Sequence, residues 1–438
     1  MSDETLSDET LSDRAIRQAL TARSAPLPPD LLLSYVEGYF AGRQRYLDLA
    51  GQYSSPLYVL QPRILAQRAA EFREAFCKVL PETGFYFAVK SNNHPEVSRI
   101  LLENGFGLDV SSGTELQMAL YLGAADIIFS GPGKTREELL LAAQNADRTV
   151  VLLDSFHELD RLQQAASSRG CRVRAGVRVS VDPKGLWRKF GIALADLQAF
   201  HQQARSCPDV LLQGVQFHSS WNLDPERQTD FIAKLGRALA AMPGDFQEKL
   251  RFVDVGGGYW PSQGEWMQEA GTPAGMVRKA MDVSVNSAFA HYWSPARSID
   301  VFAGEISAAI AKHIRPVADC RICFEPGRWI CNDAMQLLFS VVDKKASDLA
   351  ITDAGTNAVG WERFESDYFP VLNLTRPALR ENPCTIVGSL CTPHDVWGYS
   401  YWGSGLEEGD VLLIPMQGAY TYSLRQEFIK PLPQVVIL

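Results

Sequence analysis

In GFYFAVKSN, residues 84–92, a short apolar and aromatic run stops on a lysine, Lys90. A run this short, bounded by polar residues, reads as a buried strand. The pattern recurs at Gly107–Val110, Ile127–Ser130, Thr149–Leu153, Val173–Val179, Val215–Phe217, Phe252–Val255 and Ile322–Phe324, with segments of helical period between, such as Thr114–Leu122 and His157–Ser168. Alternating strand and helix signals a parallel sheet, either a (β/α)8 barrel or a doubly wound open sheet. The residues at the C-terminal ends of the runs separate the two. Lys90, Asp109, Ser130, Asp154, Arg178, His218, Asp254 and Glu325 are all polar. In an open sheet they would be strung along an edge, whereas in a barrel they converge on one mouth, where such folds carry their chemistry. The sequence therefore predicts an α/β barrel of the (β/α)8 TIM type over residues 57–335.

After Glu325 the texture changes. Gln336–Val342, Leu349–Thr352, Thr385–Val387, Asp410–Pro415 and Gln434–Leu438 are strand-like, with Gly, Pro and Asn between them and little helix, which predicts a C-terminal β domain over 336–438. The interval Trp260–Ala318, with Gly264, Pro273 and Pro295, is too long for one crossover and reads as insertions and helices around the seventh and eighth strands. Upstream, residues 26–56 are expected to pack on the β domain. Residues 1–25, which open on a tandem SDETL repeat with little to bury, are expected to form a disordered acidic tail.

The chain has 438 residues, 46% hydrophobic and 21% charged, ordinary for a soluble globular protein and long enough for a large core. No run approaches the roughly 20 apolar residues that span a bilayer, and the N-terminus is acidic, so a cytoplasmic protein without a membrane partner is expected. A net charge of -9 argues against nucleic acid as a partner. The eight cysteines are scattered, and the one CxxC, Cys320 with Cys323, lies in an apolar run without a second pair. Reduced thiols are expected rather than disulfides or a metal site.

Three features carry chemistry. Lys90 would enter the barrel mouth, where desolvation can depress an amine's pKa and make it nucleophilic, though a strand-end lysine can also be simply solvated. DVGGGY, Asp254–Tyr259, follows a strand, and consecutive glycines let backbone N–H groups approach an anion; the bland alternative is a flexible turn. FEPGR, Phe324–Arg328, sets a carboxylate at a strand end and, three residues on, a guanidinium able to grip phosphate. A reactive amine, a phosphate cradle and a buried carboxylate in one mouth suggest pyridoxal phosphate.

These segments resemble the fold type III pyridoxal phosphate-dependent decarboxylases, the family of diaminopimelate, ornithine and arginine decarboxylases. The resemblance runs through YFAVKSN (86–92), GLDVSSGTEL (107–116), FSGPGKTREEL (129–139), KFGI (189–192), QFHSS (216–220), DVGGGY, FEPGR, TDAGTN (352–357), GSLCTPHD (388–395) and GAYTYSL (418–424). It implies that Lys90 bonds covalently to the cofactor and that His218 stacks on its ring. Ser220, Gly257, Gly258, Gly327, Arg328 and Tyr420 would hold it, with Ser219 an alternative to Ser220. Glu325 would pair with the pyridine nitrogen, keeping it protonated and so stabilising the carbanion left by departing carbon dioxide. The resemblance further implies a homodimer with shared active sites, in which Cys391 reaches over from the partner subunit to protonate that carbanion.

Two departures bear on the amino acid substrate. Diamine-forming members carry an acidic residue directly after the cysteine, and here that position is Thr392. The segment Gly360–Pro370 lacks the arginine placement of a plain diaminopimelate enzyme, although Arg363 lies nearby. Arg363, Thr392, Asp395 and Arg188 are the candidate substrate contacts. They favour a larger or acidic distal group, such as an amino acid conjugated to a carboxylic acid in siderophore or antibiotic assembly, with a meso-diaminopimelate decarboxylase as the alternative. An amino acid racemase would set an arginine, not Glu325, against the pyridine nitrogen. A regulatory homologue without cofactor would have lost Lys90, His218, Glu325 and Arg328.

Overall fold

The computed structural model describes residues 11–21, 24–181, 185–281, 289–360 and 366–438. Eight parallel strands follow one another as expected: β1 Thr83–Ala88, β2 Gly107–Val110, β3 Ile127–Phe129, β4 Thr149–Leu153, β5 Val173–Ser180, β6 Val210–Gln216, β7 Phe252–Asp254 and β8 Arg321–Phe324. Each pairs with the next, and β8 returns to β1 with Ile322 opposite Thr83, which closes the barrel.

Period two along the strands explains where the polar ends point. Tyr86, Ile128, Val150, Leu152, Phe252 and Cys323 form an apolar cluster of their own, whereas Phe85, Phe87, Ile127, Phe129, Leu153 and Phe324 belong to the larger core. The first set plugs the barrel; the second faces the surrounding helices. Space inside is made by glycine, because a Cβ on Gly214 would lie 2.0 Å from the Phe252 ring and one on Gly176 2.8 Å from it. Continuing the inward alternation from this plug leads to Lys90, Ser130, Asp154, Arg178, His218, Asp254 and Glu325, and Asp109 alternates inward between Leu108 and Val110 of the outer core.

The second domain is one sheet. Met335–Ala346, Leu349–Thr352, Leu372–Asn373, Glu381–Val387, Val396–Trp402 and Val411–Ile414 form a closed ring of pairings. Val396–Trp402 goes unread in the sequence because it follows directly on the GSLCTPHD loop and is interrupted by Gly398. The start of the barrel needs correction. Leu57–Leu60 does not join the barrel but lies between Met335–Leu338 and Gln434–Ile437 in the second sheet, a pairing decided by residues far away in the chain.

The expected disordered tail is also corrected in part, since Leu11–Thr21 is a helix beside the helix Pro273–Ala280. The segment after it touches both domains. Arg43 donates to the Leu374 carbonyl of the β domain at 3.2 Å, while Ala25–Pro26 pairs with Tyr292–Trp293 of the insertion. In that insertion Glu265–Gln268 pairs antiparallel with His291–Ser294, and the helix Ile299–His313 follows. Among the described residues, no helix is long and apolar enough to cross a membrane.

Candidate active site

The strand ends meet at the C-terminal mouth. Lys90 stands in a tight turn directly after β1, and its Nζ donates to Asp109 Oδ2 at 3.1 Å; Ser130 Oγ donates to Asp109 Oδ1 at 2.5 Å. Across the mouth, His218 Nδ1 lies 3.9 Å from Glu325 Oε2, and the Gln216 amide donates to both Glu325 oxygens at 3.4 and 3.2 Å. His218 Nδ1 accepts from the Gly257 amide at 3.1 Å, so its proton belongs on Nε2, 3.3 Å from Ser220 Oγ.

Charge is distributed unevenly here. Burial, together with Asp109 and Asp254, pushes the Glu325 carboxyl well above the usual carboxylate range. Burial, with Asp109 adding to it, pushes Asp254 up to about 7 against the pull of the Gly256 amide. Two buried carboxyls this close cannot both ionise readily, so the pair retains a proton. Burial, reinforced by Lys90 and Arg178, holds His218 well below its ordinary value and therefore neutral. For Lys90 the expectation is overturned: burial does act to lower its pKa, but Asp109 and Glu325 outweigh it and raise it above the ordinary lysine value.

A cavity of about 440 Å³ opens beside this cluster, lined by His218, Ser220, Gly258, Arg328 and Tyr420, with Trp221, Trp260, Val359 and Asp367 among the other walls. Arg328 stacks over Trp260 at 4.5 Å and Tyr420 at 5.1 Å from the ring centres. No carboxylate among the described residues forms an ion pair with it, and burial lowers its pKa. Gly256 and Gly258 have φ of +71° and +85°, and a Cβ on Gly258 would lie 2.0 Å from the Ser219 carbonyl. Asp367 and Glu265 act on Arg328 through space, but a buried guanidinium with no ion pair beside a glycine turn suits a phosphate. At the other end, Gln216 Oε1 and Asp254 Oδ2 are buried without a hydrogen bond, a polar floor beside Glu325 for a heteroaromatic ring. These residues fit pyridoxal phosphate.

Several candidates stand elsewhere. Gly257 donates its amide to His218 and does not line the cavity, so it positions the histidine. Gly327 lies where a Cβ would be 2.9 Å from Ser91, allowing two segments to cross. Ser220 lines the cavity while the Ser219 hydroxyl accepts from Asn222 at 3.0 Å, which favours Ser220. Arg363 lies outside the described residues. Arg188 is exposed on the turn Gly185–Lys189 and does not line the cavity. Cys391 and Thr392 sit on the surface loop 388–395, with Cys391 exposed.

Asp395 is a correction. Its Oδ1 accepts from the Thr356 amide at 2.7 Å and the Thr356 hydroxyl at 2.9 Å, and its Oδ2 from the Leu390 amide at 2.7 Å. The residue is 2% exposed. Its bonding capacity is spent on the loop, not offered to a ligand. Conversely, sequence reasoning set Asp109, Ser130 and Asp254 at the mouth without assigning them a chemical role and passed over Gln216, although period two back from His218 points to it.

Residues 65–332 match the family model described as the pyridoxal binding domain of the pyridoxal-dependent decarboxylases. The chain is 25% identical over 400 residues to a diaminopimelate decarboxylase of Aquifex aeolicus, covering 87% of this chain and 86% of the relative. It is also 25% identical over 407 residues to an L-glutamyl-(BtrI acyl-carrier protein) decarboxylase of Niallia circulans, covering 86% of each. Its fold matches a diaminopimelate decarboxylase from Helicobacter pylori crystallised with L-lysine, at a TM-score of 0.73 and 23% identity over 90% of this chain and 94% of that one. The chain belongs to the fold type III pyridoxal phosphate-dependent decarboxylases and is an amino acid decarboxylase that uses that cofactor.

Proposed function

We propose that this decarboxylase acts on an amino acid whose distal part is conjugated or carries a carboxylate rather than a free ammonium, at sites shared between the two subunits of a homodimer. The observation that carries the reading is the fate of acidic groups on loop 388–395: Thr392 follows Cys391, and Asp395, the one carboxylate of the loop, is consumed by Thr356 and Leu390. A substrate ammonium there would be desolvated without a partner, at a cost of several kcal/mol. The Niallia relative, whose name gives an amino acid linked to a carrier as its substrate, supports the same class.

Pyridoxal phosphate, when bound, takes up the electron pair left on the α-carbon as carbon dioxide departs. The chain's own residues divide the remaining work. Lys90, held by Asp109, is the amine for the cofactor's aldehyde. Ser220, Gly258, Arg328 and Tyr420 grip phosphate. Glu325 would stand at the pyridine nitrogen, where the proton its buried carboxyl retains can be shared with the ring, and Gln216 fixes the carboxyl's orientation. Neutral His218 supplies a flat, uncharged face for the ring. Cys391, exposed on a single chain, is free to enter a partner's mouth and deliver a proton to the α-carbon. Diaminopimelate decarboxylation is the second reading, favoured by the relatives of that name.

Comparing kcat/KM for lysine, ornithine, meso-diaminopimelate and a citrate-conjugated diamino acid tests the proposal. The conjugate should be preferred. Efficient turnover of lysine or ornithine with an inert conjugate would overturn it.

A further inference from the structure

A second concavity, of about 300 Å³, lies on the barrel face opposite the mouth. Arg172 immediately precedes β5, Arg251 immediately precedes β7, and Gln213 belongs to β6, so the groove spans the N-terminal side of three neighbouring strands. His201 and Arg205, at the end of the helix Leu197–Ala204, form one wall with Lys249 beside them. Arg172, Arg205, Lys249 and Arg251 place four full positive charges in one hollow, and none of the described residues lining it is acidic. This occurs in a chain of net charge -9.

One carboxylate, Asp245, partly offsets this charge. Asp245 lies 3.8 Å from Lys249, and Arg251 donates to the Glu248 carbonyl at 2.9 Å. The side chains of Arg172 and Arg205 form no hydrogen bond or ion pair among the described residues, although the Asp245 carboxylate also acts on Arg205 through space. His201 is 7% exposed, and its Nε2 is buried without a hydrogen bond although the Asp245 carboxylate is 3.4 Å away. Clustered like charges repel one another, and a multiply charged anion would relieve that repulsion. Guanidinium forks match phosphate oxygens bidentately, and the volume suits a small molecule. We propose that this groove binds a phosphorylated small molecule carrying two or more negative charges, at a site separate from that of the amino acid. Its place on the N-terminal face makes it a binding site and not a second centre of chemistry.

Calorimetric titration of the holoenzyme with pyrophosphate, at about 0.15 M ionic strength, tests this. With the active-site phosphate cradle already filled, one saturable site per chain is expected. Arg172→Gln and Arg205→Gln should each weaken binding roughly tenfold or more, as loss of a charge-assisted bond implies. Both side chains are exposed, so the variants should keep the wild-type melting temperature and kcat/KM. Citrate at matched ionic strength should bind at least tenfold more weakly. Absence of saturable binding, unaltered binding in the folded double variant, or equal binding of citrate would each overturn the proposal.

Discussion

Asp395→Ala separates a loop anchor from a substrate contact. The carboxylate holds three donors, the Thr356 amide and hydroxyl and the Leu390 amide, at 2.7, 2.9 and 2.7 Å. Alanine leaves two buried amides without acceptors, at roughly 1 to 3 kcal/mol each, and removes a hydroxyl's bond to a charged group, so a loss of about 4 kcal/mol is expected. With an unfolding entropy of roughly 2.1 cal/mol/K per residue over this length, Tm should fall by roughly 4 °C. Cys391 and Thr392 lie between Leu390 and Asp395, and slackening that segment misplaces the cysteine. A fall in kcat on the order of 10² should follow, with KM nearly unchanged across substrates. Asp395→Asn keeps an oxygen for Thr356 but cannot accept from Leu390 with its amide, and should lie between. The assays are a thermal melt of the holoenzyme and steady-state kinetics on two substrates with different distal groups. An unchanged Tm with KM raised for only one of them would refute the reasoning and return Asp395 to the substrate.

Glu325→Gln should keep the cofactor's absorbance, because the phosphate contacts are untouched, yet slow turnover by on the order of 10² or more; unchanged turnover would remove Glu325 from the chemistry. Lys90→Ala and Cys391→Ala should each be nearly inactive, but mixed subunits should regain about a quarter of wild-type activity if one site draws on both chains, and no recovery after verified exchange would assign both residues to one chain. Asp254, raised to about 7 in the folded apoprotein, binds a proton there that the unfolded chain does not hold between about pH 4 and 7. Its contribution to stability is thus present at acid pH and lost as pH rises through 7, so Asp254→Asn should flatten the decline of the apoprotein's Tm from pH 5 to 8. Parallel Tm curves for the two proteins would exclude that titration.

Part of this architecture is legible in the residues alone, through period and local chemistry. Eight apolar runs ending on polar residues were enough to announce a closed barrel, because in a strand the side chain two positions on faces the same way as the last buried one. Lys90, His218, Glu325 and Arg328 were legible because each sits in a short motif whose neighbours dictate its backbone. Tertiary structure decided the rest. Leu57–Leu60 has the texture of a barrel strand, but Met335–Leu338 and Gln434–Ile437 claim it for the other sheet. The Lys90 ammonium is stabilised where burial alone would have disfavoured it, because Asp109, on another strand, brings an opposite charge to 3.1 Å. Asp395 looked like a free acid beside Cys391 until folding turned it onto Thr356, thirty-nine residues away. The cationic groove gathers Arg172, Arg205 and Arg251 from three separate parts of the chain. Alternation along a strand is fixed by the backbone of neighbouring residues, whereas pairing, burial and electrostatic field depend on groups that only folding brings within a few ångströms of one another.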